Sequence, residues 1–279
     1  SNVRAMGPFA RDTPHPERSL AFTAWNRGKR SIVLDLSTAD GAARLAELAM
    51  RADVLIESGA VPVDLAALRS ANPALITISI SAFGGSGPKA DWPATDLTVH
   101  AASVQLLMTG DADRPPVRTT EPQAFQHGAA DAACAALVAL AERDHSGLGQ
   151  HIDISLLDAG IALIAQHAMH YYISGKPPLR LGTQANGGAP GGGFRCADGD
   201  IMIAPNSQDL YERFVKLLGL PELCTDPRFS TNPQRIVHRN LLVEILENVT
   251  MKWKVMDLHE ALNKVGVPST PVNTIDTAL

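Results

Sequence analysis

The sequence predicts an α/β protein, a doubly wound parallel sheet in its larger part followed by a smaller α+β domain. Three observations carry that expectation. Short apolar runs alternate with helical patterns through the first third of the chain. A glycine-rich stretch, Phe83-Gly-Gly-Ser-Gly-Pro88, follows the third run, and open α/β sheets bind ligands just beyond the carboxyl ends of their strands. The texture then changes near Gly175-Lys-Pro-Pro178, so the domains are expected at 1–178 and 179–279.

Ser31-Ile-Val-Leu-Asp-Leu36, Asp53-Val-Leu-Ile-Glu57 and Leu75-Ile-Thr-Ile-Ser-Ile-Ser81 read as buried parallel strands, apolar on both faces because helices cover both. Between the first two, Leu45, Leu48, Ala49 and Ala52 recur at helical spacing, so 40–51 is an expected helix, opened by a capping-box pattern at Ser37-Thr-Ala-Asp40. Residues 63–70 form a shorter helix. Two long helices are expected at 96–108 and 122–143; the second is dense in alanine, which suits close packing in an interior. A turn at Ser146-Gly-Leu-Gly149, a strand at 151–155 and a helix at 156–174 follow. Asn186-Gly-Gly-Ala-Pro-Gly-Gly-Gly193 reads as a flexible loop, too permissive in backbone angle for a regular element. A strand at 201–204 and helices at 207–218, 239–251 and 257–265 complete the smaller domain.

The chain has 279 residues, enough for two domains at roughly 100–200 residues each. With 45% apolar and 19% charged residues it matches no disordered, collagen-like or coiled-coil class. A net charge of −5 excludes a broad basic surface for nucleic acid and leaves room for a local basic cluster. The start at Ser1 is polar and broken by Gly and Pro, so no signal peptide is expected, and no run of 18 apolar residues is seen that would span a bilayer. Cys134, Cys196 and Cys224 stand far apart in odd number, a pattern that fits a reducing cytoplasm rather than disulfides or a zinc ribbon.

No Walker loop, GxGxxG or GxSxG signature occurs. Arg27-Gly-Lys-Arg30 reads either as a solvated basic turn or as a small anion site, since clustered cations hold phosphates by charge-assisted bonds. His167 and His170 share a helical face with His151 just upstream, but no carboxylate matches their spacing as a metal partner. Asp153 and Asp158 flank a strand–helix junction, where Asp158 suits the first helical turn. His127 and Asp131, four apart, read as an acid–base pair or as a helix-internal hydrogen bond.

Trp25-Asn-Arg-Gly-Lys-Arg-Ser-Ile-Val-Leu-Asp-Leu36 closely resembles a block of the class III CoA-transferases, the carnitine-dehydratase/bile-acid-inducible (CaiB/BaiF) family. Further blocks follow in family order: Ala52-Asp-Val-Leu-Ile-Glu57, Asn72-Pro-Ala-Leu-Ile76, Ile80-Ser-Ala-Phe-Gly84, Ser146-Gly-Leu-Gly-Gln150, Asp153-Ile-Ser-Leu-Leu-Asp158, Asp226-Pro-Arg-Phe229 and Gly266-Val-Pro268. The resemblance implies a Rossmann-like large domain, a small domain, and two chains threaded as interlocked rings. It implies an activity on CoA or acyl-CoA thioesters of carboxylic acids, with CoA as cosubstrate and neither metal nor nicotinamide. It places Asn26, Arg27, Lys29, Arg30 and Leu34 in the CoA-binding region. Gly191, Gly192 and Gly193 resemble the mobile loop that covers the thioester in formyl-CoA transferase.

The departures from the family are as informative. Ungapped alignment back from Ser146-Gly-Leu-Gly-Gln150 puts Phe125 at the position of the catalytic Asp, and phenylalanine cannot attack a thioester. The acidic residue of the racemase branch matches Asp96, but its preceding His is Thr95. The Glu57-Ser-Gly-Ala-Val-Pro62 block is eroded. His127 is the substitute base this reading offers, with Asp96 as its acidic companion and Asp131 as a further option. A non-catalytic acyl-CoA-binding protein, a structural subunit of a heteromer, and an acyl-CoA racemase or isomerase are the rival readings. Family members also carry a strand–helix–strand unit before the Asn-Arg-Gly-Lys block and continue past Pro-Val-Asn, so the parallel sheet is expected to lack its first strand and expose an unpaired edge, or to be completed by another chain.

Overall fold

A computed structural model describes residues 2–58, 63–120 and 122–278; the part of the eroded block at 59–62 lies outside them. The described chain forms two compact units, one of residues 1–78 with 136–152 and one of residues 79–135 with 153–279.

In the first unit, helix α1 (Leu20–Trp25) is capped by Ser19, whose Oγ accepts from the Phe22 N–H at 3.2 Å and donates to the Met6 carbonyl at 2.7 Å. Helix α2 (Ala39–Ala49) is capped by Thr38, which accepts from the Gly41 N–H; the expected cap is thus displaced by one residue from Ser37. Strand β1 (Val54–Glu57) and helix α3 (Leu65–Ala71), the latter capped by Asp64, lie where the periodicity puts them. Strand β2 (Ile76–Ser81), strand β3 (His151–Ser155) and helix α6 (Gln123–Ser146) each contribute residues to both units.

The strand order is β1-β2-β3. Within the first unit the Thr77 N–H donates to the Gln150 carbonyl, and within the second the Leu157 N–H donates to the Ala82 carbonyl. Residue numbers rise together along both strands, so β2 and β3 are parallel, as the sequence predicts. Arg143, near the end of α6, donates to Asp53 at 2.8 Å and to the Ala74 carbonyl at 3.2 Å, tying the entrances of β1 and β2. A Cβ at Gly149 would lie 2.2 Å from the Leu75 carbonyl oxygen, so this turn admits only glycine.

Ser31–Leu36 departs from expectation. It is irregular and unpaired, running into a turn at Leu36, with Ile32 62% and Val33 94% exposed. A strand needs a hydrogen-bonded neighbour, and among the described residues none pairs with this segment.

In the second unit the expected helix over 96–108 is two helices, α4 (Asp96–Ala102) and α5 (Gln105–Met108), broken where Val104 takes φ +69°. The helix over 156–174 likewise divides at Ile164 into α7 (Leu156–Leu163) and α8 (Ala165–Ser174). Beyond them an antiparallel sheet in the order β4-β5-β6 joins β4 (Gly192–Arg195), β5 (Asp200–Ile203) and β6 (Ser269–Pro271). The expected flexible loop therefore ends in a strand: Gly192 pairs with Ile203 and Gly193 with Met202. Helices α9 (Gln208–Leu217), α10 (Asn232–Val237), α11 (Arg239–Thr250) and α12 (Val255–Lys264) accompany this sheet, and α13 (Ile275–Ala278) ends the described chain. Phe194, Tyr211, Phe214, Phe229, Leu242, Leu246, Leu258 and Leu262 form its fully buried core.

Helix α6 is not the interior helix its alanines suggest. Only 22% of its most apolar 18-residue window is buried, and that window has a mean hydropathy of 1.3. By length and composition α6 qualifies to cross a bilayer. The sequence reading misses this because alanine raises the average without forming a run of large apolar side chains.

Candidate functional site

Three places gather the residues singled out from the sequence. The first is the turn after α1. Its C-cap, Asn26, donates from Nδ2 to the Phe22 carbonyl at 2.9 Å, and Gly28 at φ +75° reverses the chain. Lys29 Nζ donates to the Trp25 carbonyl at 3.0 Å and to Asn26 Oδ1 at 3.1 Å. Lys29 is therefore committed to the helix end, where a cation is favoured by the exposed carbonyls. Arg27 and Arg30 are exposed, and among the described residues their guanidiniums have no partner. Leu34 is half-buried in the unpaired segment that follows. The turn thus offers two uncommitted guanidiniums braced by a lysine, an arrangement able to meet phosphate oxygens.

The second place is the start of α6. The first amides of a helix lack intrahelical acceptors and carry partial positive charge. Asp96 supplies an acceptor: its Oδ1 takes the Phe125 N–H at 3.2 Å. Asp96 is held by the start of α4, where Thr95 and Thr98 form a reciprocal capping box. Thr95 is thereby a helix cap. The structure brings Asp96 to Phe125, whose side chain is 50% exposed. His127 is half-buried and Asp131 exposed; no hydrogen bond or ion pair joins them among the described residues. Residues two apart on a helix face different ways, so His127 and Phe125 lie on different sides of α6. A Cβ at Gly128 would lie 2.2 Å from Leu156 Cδ2, which shows how closely this turn approaches the start of α7.

The third place is the glycine-rich segment before β4. Gly192 has φ +150°, and a Cβ there would lie 2.5 Å from the Thr183 carbonyl oxygen. Gly193 donates its N–H to Thr183 Oγ1 at 3.1 Å. Gly191 and Gly192 are buried and, with Ala185, Met202, Ile203 and Asn206, help line a groove of about 420 Å³. No charged side chain lines it.

The remaining candidates are occupied elsewhere. His151 Nδ1 meets Thr77 Oγ1 at 3.0 Å, and His170 Nδ1 meets Ser174 Oγ at 3.4 Å. Asn186 Nδ2 donates to His167 Nε2 at 3.1 Å. Asp153 accepts the Gly85 N–H at 2.7 Å and so fixes the loop after β2. Asp158 lies in the first turn of α7, its N–H bonded to the Ser155 cap. Among the described residues no group of three or more His, Cys, Asp or Glu side chains comes together to hold a metal.

Sequence reasoning missed several buried polar groups. His100 is buried with neither ring nitrogen bonded. Arg235 and Arg239 are 2% and 8% exposed, and burial pushes both guanidinium pKa values down. Part of the signal was present: Arg239 is in register with Leu242 and Leu246 on the apolar stripe of α11, where an arginine is out of place, whereas Arg235 lies on α10. Burial, reinforced by Asp198 and Asp200, also pushes the Cys196 thiol up to about 11.

Comparison with known proteins agrees across the chain. A family model described as CoA-transferase family III matches residues 1–279. A succinate–glutarate CoA-transferase of Agrobacterium fabrum is 36% identical over 283 residues, spanning 99% of this chain and 71% of that protein. An acetyl-CoA:oxalate CoA-transferase of Acetobacter aceti is 34% identical, over 97% of this chain and 70% of that protein. Among solved structures, a CAIB/BAIF family protein from Brucella suis superposes with a TM-score of 0.82 at 34% identity, covering 99% of this chain and 75% of that one.

Proposed function

Because the chain belongs to CoA-transferase family III, we propose that it binds CoA or an acyl-CoA thioester and moves CoA between carboxylic acids. The observation that carries this reading is the turn after α1, where Arg27 and Arg30 stand uncommitted beside a Lys29 fastened to the helix end. CoA is anionic through its phosphates, and two free guanidiniums on a braced turn suit it. Asn26 and Leu34 frame that turn.

With Phe125 at the expected nucleophile position, the reaction does not pass through an aspartyl thioester. His127 serves as the base in this reading, and Asp96 holds the start of its helix. The glycine segment at Gly191–Gly193 covers the reacting carbonyl and excludes water. The chain works as an interlocked homodimer in the cytoplasm, with a large domain over 1–178 and a small one over 179–279.

A second reading is favoured by the same phenylalanine: a non-catalytic acyl-CoA-binding protein, or a subunit that pairs with an active partner chain. An acyl-CoA racemase or isomerase is a third, since a base beside an acyl-CoA removes an α-proton. Four measurements separate these readings, the first a transfer assay between an acyl-CoA and a free carboxylate. Hydroxylamine trapping reports a covalent enzyme–CoA thioester. Solvent-deuterium exchange at the α carbon of test acyl-CoAs reports proton abstraction. Calorimetry reports CoA binding. Transfer without a trapped thioester, abolished by His127→Ala, supports the leading reading. CoA binding with transfer, trapping and exchange all silent supports the binding module. Absence of CoA binding by the full chain would falsify all three.

A further inference from the structure

The glycine-rich segment is closed at its base, where the Ala185 N–H donates to the Gly191 carbonyl at 2.8 Å. Three side chains of α10 and α11 grip the loop so formed. Arg239 Nη1 donates to the Ala185 carbonyl at 2.5 Å, and Arg235 Nε donates to the Ala189 carbonyl at 2.6 Å. Asn232 accepts the Ala189 N–H at 3.1 Å and donates to the Gly187 carbonyl at 3.3 Å. Arg235 is itself locked by the Gln208 side chain and the Phe229 carbonyl, each at 3.0 Å, and stacks on the Tyr211 ring at 4.0 Å.

Neither buried guanidinium has a carboxylate partner among the described residues. Burying a cation without an anion is costly, and a neutral donor would satisfy the same carbonyls at less expense. What a guanidinium adds is a rigid planar fork that fixes the direction of the group it binds. Direction matters because a trans peptide points its N–H opposite its C=O. Arg239 on the Ala185 carbonyl therefore turns the Asn186 amide away from itself. Asn232 on the Gly187 carbonyl does the same to the Gly188 amide. Among the described residues neither amide has an acceptor.

We infer that Arg235, Arg239 and Asn232 are positioning residues that hold the glycine-rich segment with its Asn186 and Gly188 amides turned outward, ready for an anionic oxygen of the acyl substrate. The ligand named here rests on the acyl-CoA reading; the brace itself does not.

Hydrogen exchange by mass spectrometry on the full chain tests the brace. Arg239→Met is expected to speed exchange across 185–193 by about 10-fold, with exchange in β1 unchanged. Asn232→Ala, at a half-buried position, is expected to do so to a smaller extent and serves if the arginine variant fails to fold. In a transfer assay both variants lower kcat by about 10-fold while KM for the acyl-CoA donor stays within about twofold. Arg239→Lys restores part of that loss. Unchanged exchange over 185–193 overturns the brace, and faster exchange with unchanged kcat overturns its role in positioning. A wild-type chain without transfer activity overturns the CoA-transfer reading instead, a chain that binds no CoA overturns the acyl-CoA reading, and in either case the exchange result still decides the brace.

Discussion

The region around β4, β5 and β6 and the segment Ser31–Leu36 are both rich in large apolar side chains, yet they use them differently. Around the antiparallel sheet, Phe194, Phe214, Leu242, Leu246 and Leu258 are fully buried, and the polar groups among them are held, as Tyr211 is by its bond to the Leu223 carbonyl. In the N-terminal segment Ile32 and Val33 are open to solvent and no strand pairs with them. An apolar run is thus only an offer of a strand; a hydrogen-bonding neighbour and a covering layer decide whether it becomes one.

Core substitutions should break this comparison most visibly. Phe214→Ala is expected to cost about 3–5 kcal/mol in denaturant unfolding, whereas Val33→Ala should stay within about 0.5 kcal/mol. A loss above about 2 kcal/mol at Val33 would mean that the segment is packed in solution. Within the glycine-rich segment the contrast repeats on a smaller scale. Gly192→Ala, at φ +150° and against the Thr183 carbonyl, should cost about 1–3 kcal/mol, while Gly187→Ala, with open space around it, should cost under about 1 kcal/mol.

Thiol labelling sharpens the picture without mutation. Cys134 is exposed and should react first, and Cys196, its thiol pushed up to about 11, last; comparable rates at neutral pH would contradict the burial of Cys196. The smallest effect concerns Asp226, which Arg228, at 2.6 Å, holds down to about 2. Its folded pKa lies below the ordinary 3.8, so its contribution is complete above that value and is lost as pH falls toward 2. An acid titration should therefore show a slight stability loss between those limits that Asp226→Asn removes.

Much of the fold was legible in the sequence because periodicity reports which side of an element meets a core. Strands β1, β2, β3 and β5 and helices α2, α9, α11 and α12 follow that signal. What escaped depends on neighbours or on single backbone angles: the unpaired Ser31–Leu36, the break at Val104, the strand that begins at Gly192. The site was legible in its residue types more than in its contacts. Arg27, Lys29 and Arg30 stand together on one turn as read, but only geometry shows that Lys29 is spent on the helix end. Asp96 meets Phe125 through a backbone N–H, which no side-chain spacing announces. Arg239 shares the apolar stripe of α11 with Leu242 and Leu246, but the carbonyls that Arg235 and Arg239 bind are seen only in the structure.

In the proposed function CoA is held at the turn after α1. Calorimetric titration of CoA into the full chain and into an Arg27→Ala/Arg30→Ala variant tests this most directly, with unfolding midpoints recorded for both. The expected result is binding by the wild-type chain, weakened at least about 10-fold in the variant at an unchanged midpoint, with the difference shrinking as salt is raised. Equal affinity in the two proteins, or no binding by the wild-type chain, would contradict it.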